Sequence, residues 1–362
     1  MSVALSKRKA SLDIIRIIAL GLVLLIHCVE NTWHLVPGKF EMTSQVGQIA
    51  VMLLYSIGRI CVPLFLFLTG YLMLDRKYKK EDVWTFYKAK VLHLLIIAFI
   101  WTGIYYLFAW IVLGRHFSVY DFIKQFTFTA DRPVAPHLWY MPAIIGLYLF
   151  IPFVANALKS MDKKVIKLFI ALATCYLFVV PTINVLARSI GGLPVRNNVE
   201  LNYLGGICGT FMVLGYLTKR YMNVLNSKIK TSGLVIVCVA SIVLCTIMNY
   251  FLFVGLKYNY MPWYDSIFIL FASTSLFIIL LRLLDKAKPR QYLYSASTAV
   301  LGCYLVHYIF IYIYTRIVGG FGLAPGWMYM IGLAFFVSIG TVIVVYALRK
   351  FERLAWYTGL RL

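Results

Sequence analysis

Apolar residues run through this chain in long blocks, separated by shorter polar stretches that hold most of the charge. A helix needs roughly 20 mostly apolar residues to cross the hydrocarbon core of a bilayer. Ten blocks approach that length, at approximately 12–29, 46–73, 91–113, 139–158, 165–183, 201–218, 233–254, 264–284, 297–318 and 326–348. The pattern predicts an all-α integral membrane protein, a polytopic bundle of about ten transmembrane helices, with residues 1–362 forming one transmembrane domain.

Composition agrees. The chain is 62% hydrophobic and 13% charged, more apolar surface than a soluble domain of 362 residues can hide. A net charge of +22 would suit a nucleic-acid partner, but the basic residues sit in short patches between apolar runs, the arrangement of a membrane protein. With the N-terminus in the cytoplasm, roughly 25 of the 35 Lys and Arg fall on that side and roughly eight opposite, so both termini are expected to be cytoplasmic. Lys7, Arg8 and Lys9 precede the first block as they would in a signal peptide, but no small-residue cleavage site follows, which favours a retained span. The seven cysteines lack CxxC spacing and read as small apolar residues, so no metal site is expected.

Two basic residues lie more than three residues inside an apolar block, where a charge is costly and usually kept for function: Arg16 and Arg59. Arg16 precedes His27 by eleven residues, a step that returns to within about 20° of the same helix face and climbs roughly 16 Å. The first span thus carries a cation near one surface and a titratable imidazole deeper in. Glu30, three residues after His27, is placed to orient its ring. Arg59 stands near the middle of the second span. Pro63 cannot donate to the Arg59 carbonyl, so a kink with a freed acceptor is expected there. Arg59 is read either as part of a cavity or as a brace between helices.

The third span opens with Lys88, Lys90 and His93, a patch that is either lipid-facing or a grip for a phosphorylated cosubstrate. Ser118 and Asp121 have capping-box spacing and predict a short surface helix. His137 and Trp139 open the fourth span at the outer interface, where His137 would join His27, Glu30 and His34 near the outer mouth. His307, near the middle of the ninth span, is read as a core residue. No GxSxG, HExxH or Walker pattern occurs.

Four segments in register carry a resemblance: LDIIRIIA with its histidine at position 27, VPLFLFLTGYLML, HLWYMPAIIGLYLFIPF and the late YLVH. Together they resemble the acyltransferase family 3 integral membrane proteins, nearest the single-domain branch that O-acetylates bacterial surface polysaccharides. The resemblance implies transfer of an acetyl group from acetyl-CoA, a cosubstrate and not a tightly bound cofactor, to a hydroxyl of a cell-surface glycan or lipid-linked sugar. It places the protein in the bacterial cytoplasmic membrane. It maps the family's arginine and histidine onto Arg16 and His27, and its second-span arginine onto Arg59. Where relatives often carry Arg-x-x-Arg at the start of the third span, this chain has Lys90 and His93; where they have Ser-Gly, it has Thr69 and Gly70. The expected mechanism has donor phosphates on Arg16, Lys88, Lys90 and His93, His27 as general base or acyl carrier, and Arg59 on the oxyanion, with Glu30, His137 and Trp139 on the acceptor side. The competing class is a secondary transporter or glycan flippase using the same buried cations.

Overall fold

The computed structural model describes residues 8–35, 40, 44–116, 118–195, 199, 201–202, 205–258, 261 and 263–360. Lys7, of the basic N-terminal patch, lies outside them. Among the described residues the structure is helical without strands, and a helix is found at each of the ten expected positions.

Among the described residues eight helices are long and apolar enough to cross a membrane, counting the second span as one broken helix. The first three elements are α1 (Ala10–Trp33), α2 (Gln45–Gly58) and α3 (Cys61–Met73). They are followed by α4 (Lys80–Ile111), a short α5 (Val119–Phe126), α6 (Pro136–Ser160) and α7 (Lys163–Ser189). Next come α8 (Gly206–Arg220), a short α9 (Met222–Lys228), α10 (Thr231–Gly255) and α11 (Ile267–Leu283). The chain closes with α12 (Gln291–Gly320), α13 (Trp327–Leu348) and α14 (Glu352–Tyr357). Of the ten, α8 and α11 are the short ones, at 15 and 17 residues.

The chain gathers into two compact units. One comprises residues 1–77 and 153–294, the other 78–152 and 295–362.

In the first unit, α1 buries Leu12, Ile15, Ala19, Val23 and Ile26, a three-and-four spacing that marks one helix face. The second span breaks where the sequence predicts. Arg59 and Ile60 form a turn between α2 and α3, because Pro63 has no N–H to continue the ladder to the Arg59 carbonyl. Small residues then permit close helix packing. A Cβ at Gly70 would collide with the Met212 carbonyl and one at Gly215 with the Phe67 backbone, so α3 and α8 meet nearly backbone to backbone. Phe67 stacks on Phe277 of α11 with centroids 5.0 Å apart, and Asn249 of α10 donates to Ser56 of α2 at 2.9 Å.

In the second unit, α4 starts at Lys80, well before the predicted 91. Its first turns are polar, which hides them from a hydropathy reading, and the Asp82 carboxylate caps them by accepting from the Lys79 N–H at 3.0 Å. The tail, which the apolar pattern leaves as a cytoplasmic end, forms α14 and folds back onto α4. Trp101 Nε1 donates to the Thr358 carbonyl at 2.8 Å, and Leu360 is fully buried. The surface helix expected from Ser118 and Asp121 is present as α5, with Asp121 N–H donating to Ser118 Oγ and Ser118 N–H to Asp121 Oδ2, both at 3.1 Å.

Candidate functional site

The imidazole of His27 and the guanidinium of Arg59 are joined through one carboxylate. His27 Nδ1 lies 3.0 Å from Glu30 Oε2, and Arg59 Nη2 donates to Glu30 Oε1 at 3.0 Å. The first contact is local. Residues three apart on a helix stand one above the other, so Glu30 meets His27 wherever α1 is helical. The second depends on tertiary packing. Gly58 presses its backbone against Ile26, close enough that an added Cβ would sit 2.7 Å from Ile26 Cβ, and Arg59 follows at the helix break. The missing side chain at Gly58 is what brings Arg59 within reach of Glu30.

Arg59 is 7% exposed. Its Nε donates to Tyr55 Oη at 2.9 Å, and a short bond from Nη2 reaches the same oxygen. The rings of Tyr55 and Trp263 each lie 4.6 Å from the guanidinium carbon, and Tyr264 lies at 5.7 Å. Faces of aromatic rings attract a cation by about 0.5–2 kcal/mol each when it is withdrawn from water. The charge is therefore held by one carboxylate and three rings. Asn31 anchors the backbone beside the imidazole by donating to the His27 carbonyl at 2.8 Å.

Arg16 occupies the opposite end of α1 from His27. It approaches Asp13 at 3.5 Å, and the same buried carboxylate takes a two-pronged contact from Arg8, with Nε and Nη2 each 2.8 Å from an oxygen. Both Arg16 and His27 are partly withdrawn from the surface, at 26% and 15% side-chain exposure. The ends of α1 thus each carry an arginine–carboxylate arrangement, Arg8–Asp13–Arg16 at one and Arg59–Glu30–His27 at the other.

Most of the other expected site residues belong to the second unit. Lys88 and Lys90 are exposed on α4 in the second unit, Lys88 with its ammonium 5.6 Å from the Trp84 ring. His93 is buried, stacked on Trp356 with centroids 4.1 Å apart, and its Nε2 donates to the Trp356 carbonyl at 2.7 Å. That nitrogen fastens the tail to α4. His137 is also in the second unit and only 1% exposed, stacked on Tyr308 and 4.9 Å from the ring of His307. It is a core residue and not one presented at an outer mouth, because Tyr105, Tyr304 and Tyr308 enclose it. His307, fully buried with Nδ1 2.5 Å from the Tyr304 carbonyl, is the core residue expected of it. Trp139 lines a cavity of about 210 Å³ with Gln125, Phe128 and Asp131. Thr69 spends its hydroxyl on the Phe65 carbonyl of its own helix at 2.9 Å.

Sequence reasoning missed Tyr55, Trp263, Tyr264, Asp13 and Arg8. Tyr55 had a signal, lying four residues before Arg59 on one helix face. Trp263 and Tyr264 had none.

A protein-family model described as an acyltransferase domain matches residues 9–349, from just before α1 to the end of α13. The chain belongs to acyltransferase family 3. No curated protein and no solved structure matches it. As a family 3 member it is a multi-pass membrane acyltransferase, and the His27–Glu30–Arg59 arrangement lies within the matched region.

Proposed function

We propose that this protein is an O-acyltransferase of the bacterial cytoplasmic membrane that moves an acetyl group from cytoplasmic acetyl-CoA to a hydroxyl of a cell-surface glycan or glycolipid. The observation that carries this reading is the ordered set of His27, Glu30 and Arg59. A histidine whose Nδ1 faces a carboxylate has its tautomer fixed, with the proton on Nδ1 and Nε2 as the proton acceptor.

The reaction then runs as follows. The acceptor hydroxyl gives its proton to His27 Nε2 while its oxygen attacks the thioester carbon. The resulting imidazolium is stabilised by Glu30. Collapse of the tetrahedral intermediate breaks the carbon–sulfur bond, and the thiolate leaves with the proton carried by His27. Glu30 stabilises a cationic ring on either route, the imidazolium that a general base becomes or the N-acylimidazolium of an acyl carrier. Arg59 is better suited to position Glu30 than to meet the oxyanion, because its Nε and Nη2 are engaged with Tyr55 and Glu30.

Purified protein incubated with acetyl-labelled acetyl-CoA and a hydroxylated glycan acceptor tests the reading. Label appearing on the acceptor supports it. Label that crosses a vesicle membrane while still on the thioester supports the transporter class instead.

A further inference from the structure

The first unit contains a second built feature that this mechanism does not use. A cavity of about 1060 Å³ opens among the N-terminal end of α1, the C-terminal end of α8, the start of α10 and the end of α11. Its walls carry five cations, Arg8, Lys9, Lys219, Lys230 and Arg282, against one lining carboxylate, Asp285. Like charges around one cavity repel, so the question is which of them have partners.

Three are committed. Arg8 is paired with Asp13, and Lys219 with Asp75 at 2.7 Å. Arg282 donates to the Leu225 and Ile229 carbonyls, to Asn226 Oδ1 and to Thr231 Oγ1 at 2.7–3.0 Å, which fastens the cavity wall to α11. Lys9 and Lys230 have no carboxylate partner among the described residues, and both are exposed. The Lys9 ammonium lies 5.9 Å from the Tyr71 ring, and that of Lys219 lies 5.6 Å from the same ring. Lys9 and Lys230 also stand at the N-cap positions of α1 and α10 without a side-chain cap. The partial positive charge of a helix start adds to the field there, where a lysine is electrostatically misplaced unless an anion is near. The volume lies at the upper end of the range for small-molecule sites, roughly 300–1,000 Å³.

We infer that this cavity holds a multiply phosphorylated anion, the nucleotide end of the acyl-CoA donor, with Lys9 and Lys230 as its principal charge contacts. The inference rests on the acetyl-CoA reading above and specifies where the donor is gripped. Lysine suits the task, since an ammonium on a flexible stem meets a phosphate as a point charge without demanding one geometry. From Lys9 to His27 is eighteen residues, about 27 Å along the helix axis, which is a span for a long arm with charge at one end and a thioester at the other. Lys88 and Lys90, on the second unit, are not needed for this grip.

The test uses the full chain in phosphatidylcholine nanodiscs, with coenzyme A as probe and pantetheine, which lacks the phosphates, as control. Lys9→Gln with Lys230→Gln should weaken coenzyme A binding at least tenfold and flatten its salt dependence, whereas Lys9→Arg with Lys230→Arg keeps it. Pantetheine should not compete, and His27→Ala should bind coenzyme A like the unaltered protein. A folded Gln pair that binds coenzyme A unchanged overturns the inference and leaves the donor reading standing. If the unaltered protein binds no coenzyme A, the donor reading itself fails. A Gln pair that loses affinity only for phosphatidylglycerol vesicles assigns the cavity to lipid headgroups and overturns the inference as well.

Discussion

Arg59 meets Glu30 at 3.0 Å across twenty-nine residues of sequence, and the same carboxylate holds His27. A buried guanidinium is stabilised only when its charge is answered, and here the answer is shared with the ring proposed to move a proton. The charge that braces α1 against the helix break also orients the base.

Two substitutions separate bracing from orientation. Glu30→Gln should lower kcat about a hundredfold with little change in the KM for donor, and should destabilise the protein because it leaves Arg59 without a counter-charge. Adding Arg59→Met should recover stability but not kcat. Thermal melts and initial rates on the two single variants and the double form the cycle; recovery of kcat in the double variant would contradict a positioning role for Glu30.

Gly58→Ala should push α2 away from Ile26 and lengthen the Arg59–Glu30 contact, since the new Cβ would lie 2.7 Å from Ile26 Cβ. Overpacking of this kind costs about 1–3 kcal/mol. The matched control is Gly21→Ala on α1, where nothing lies within 4 Å and the substitution favours the helix. Melting temperature and transfer rate should fall for the first and hold or rise for the second.

His93→Ala should act on stability and not on donor affinity. It removes the stack on Trp356 and the bond to its carbonyl, loosening α14 against α4 while the Trp101–Thr358 bond remains. Faster hydrogen exchange in residues 352–358, with an unchanged KM for acetyl-CoA, is the expected pair of results. A raised KM with unaltered exchange would return His93 to the donor site.

The cap of α5 is sensitive to acid. The Ser118 hydroxyl and N–H hold the Asp121 carboxyl below the usual carboxylate range. A depressed folded-state pKa means that the cap stabilises α5 fully above the unfolded value of about 3.9 and is lost as pH falls through the folded one. Hydrogen exchange in residues 119–126, corrected for its intrinsic pH dependence, should quicken below that window, and Ser118→Ala should show the faster exchange already at neutral pH.

How much of this was legible in the sequence follows from the range of each interaction. Helix positions were, because hydropathy is a property of contiguous residues; the polar start of α4 and the tail helix α14 were not. The contact of His27 with Glu30 was legible from three-residue spacing. Arg59 stood out as a charge in an apolar block, but its carboxylate lies on another helix and is reached only through the Gly58–Ile26 approach. His93 looked like a phosphate ligand because its neighbours are lysines, whereas its partner is Trp356, 263 residues later. Arg16 was singled out while Asp13, three residues before it on the same helix, was passed over.

The central claim is tested most directly by acetyl transfer in the His27→Ala protein. Purified variant and unaltered protein, matched for membrane insertion and melting temperature, are given labelled acetyl-CoA and a glycan acceptor. Loss of transfer by about 10²–10⁴-fold with coenzyme A binding intact is the predicted result; transfer at the unaltered rate would contradict it.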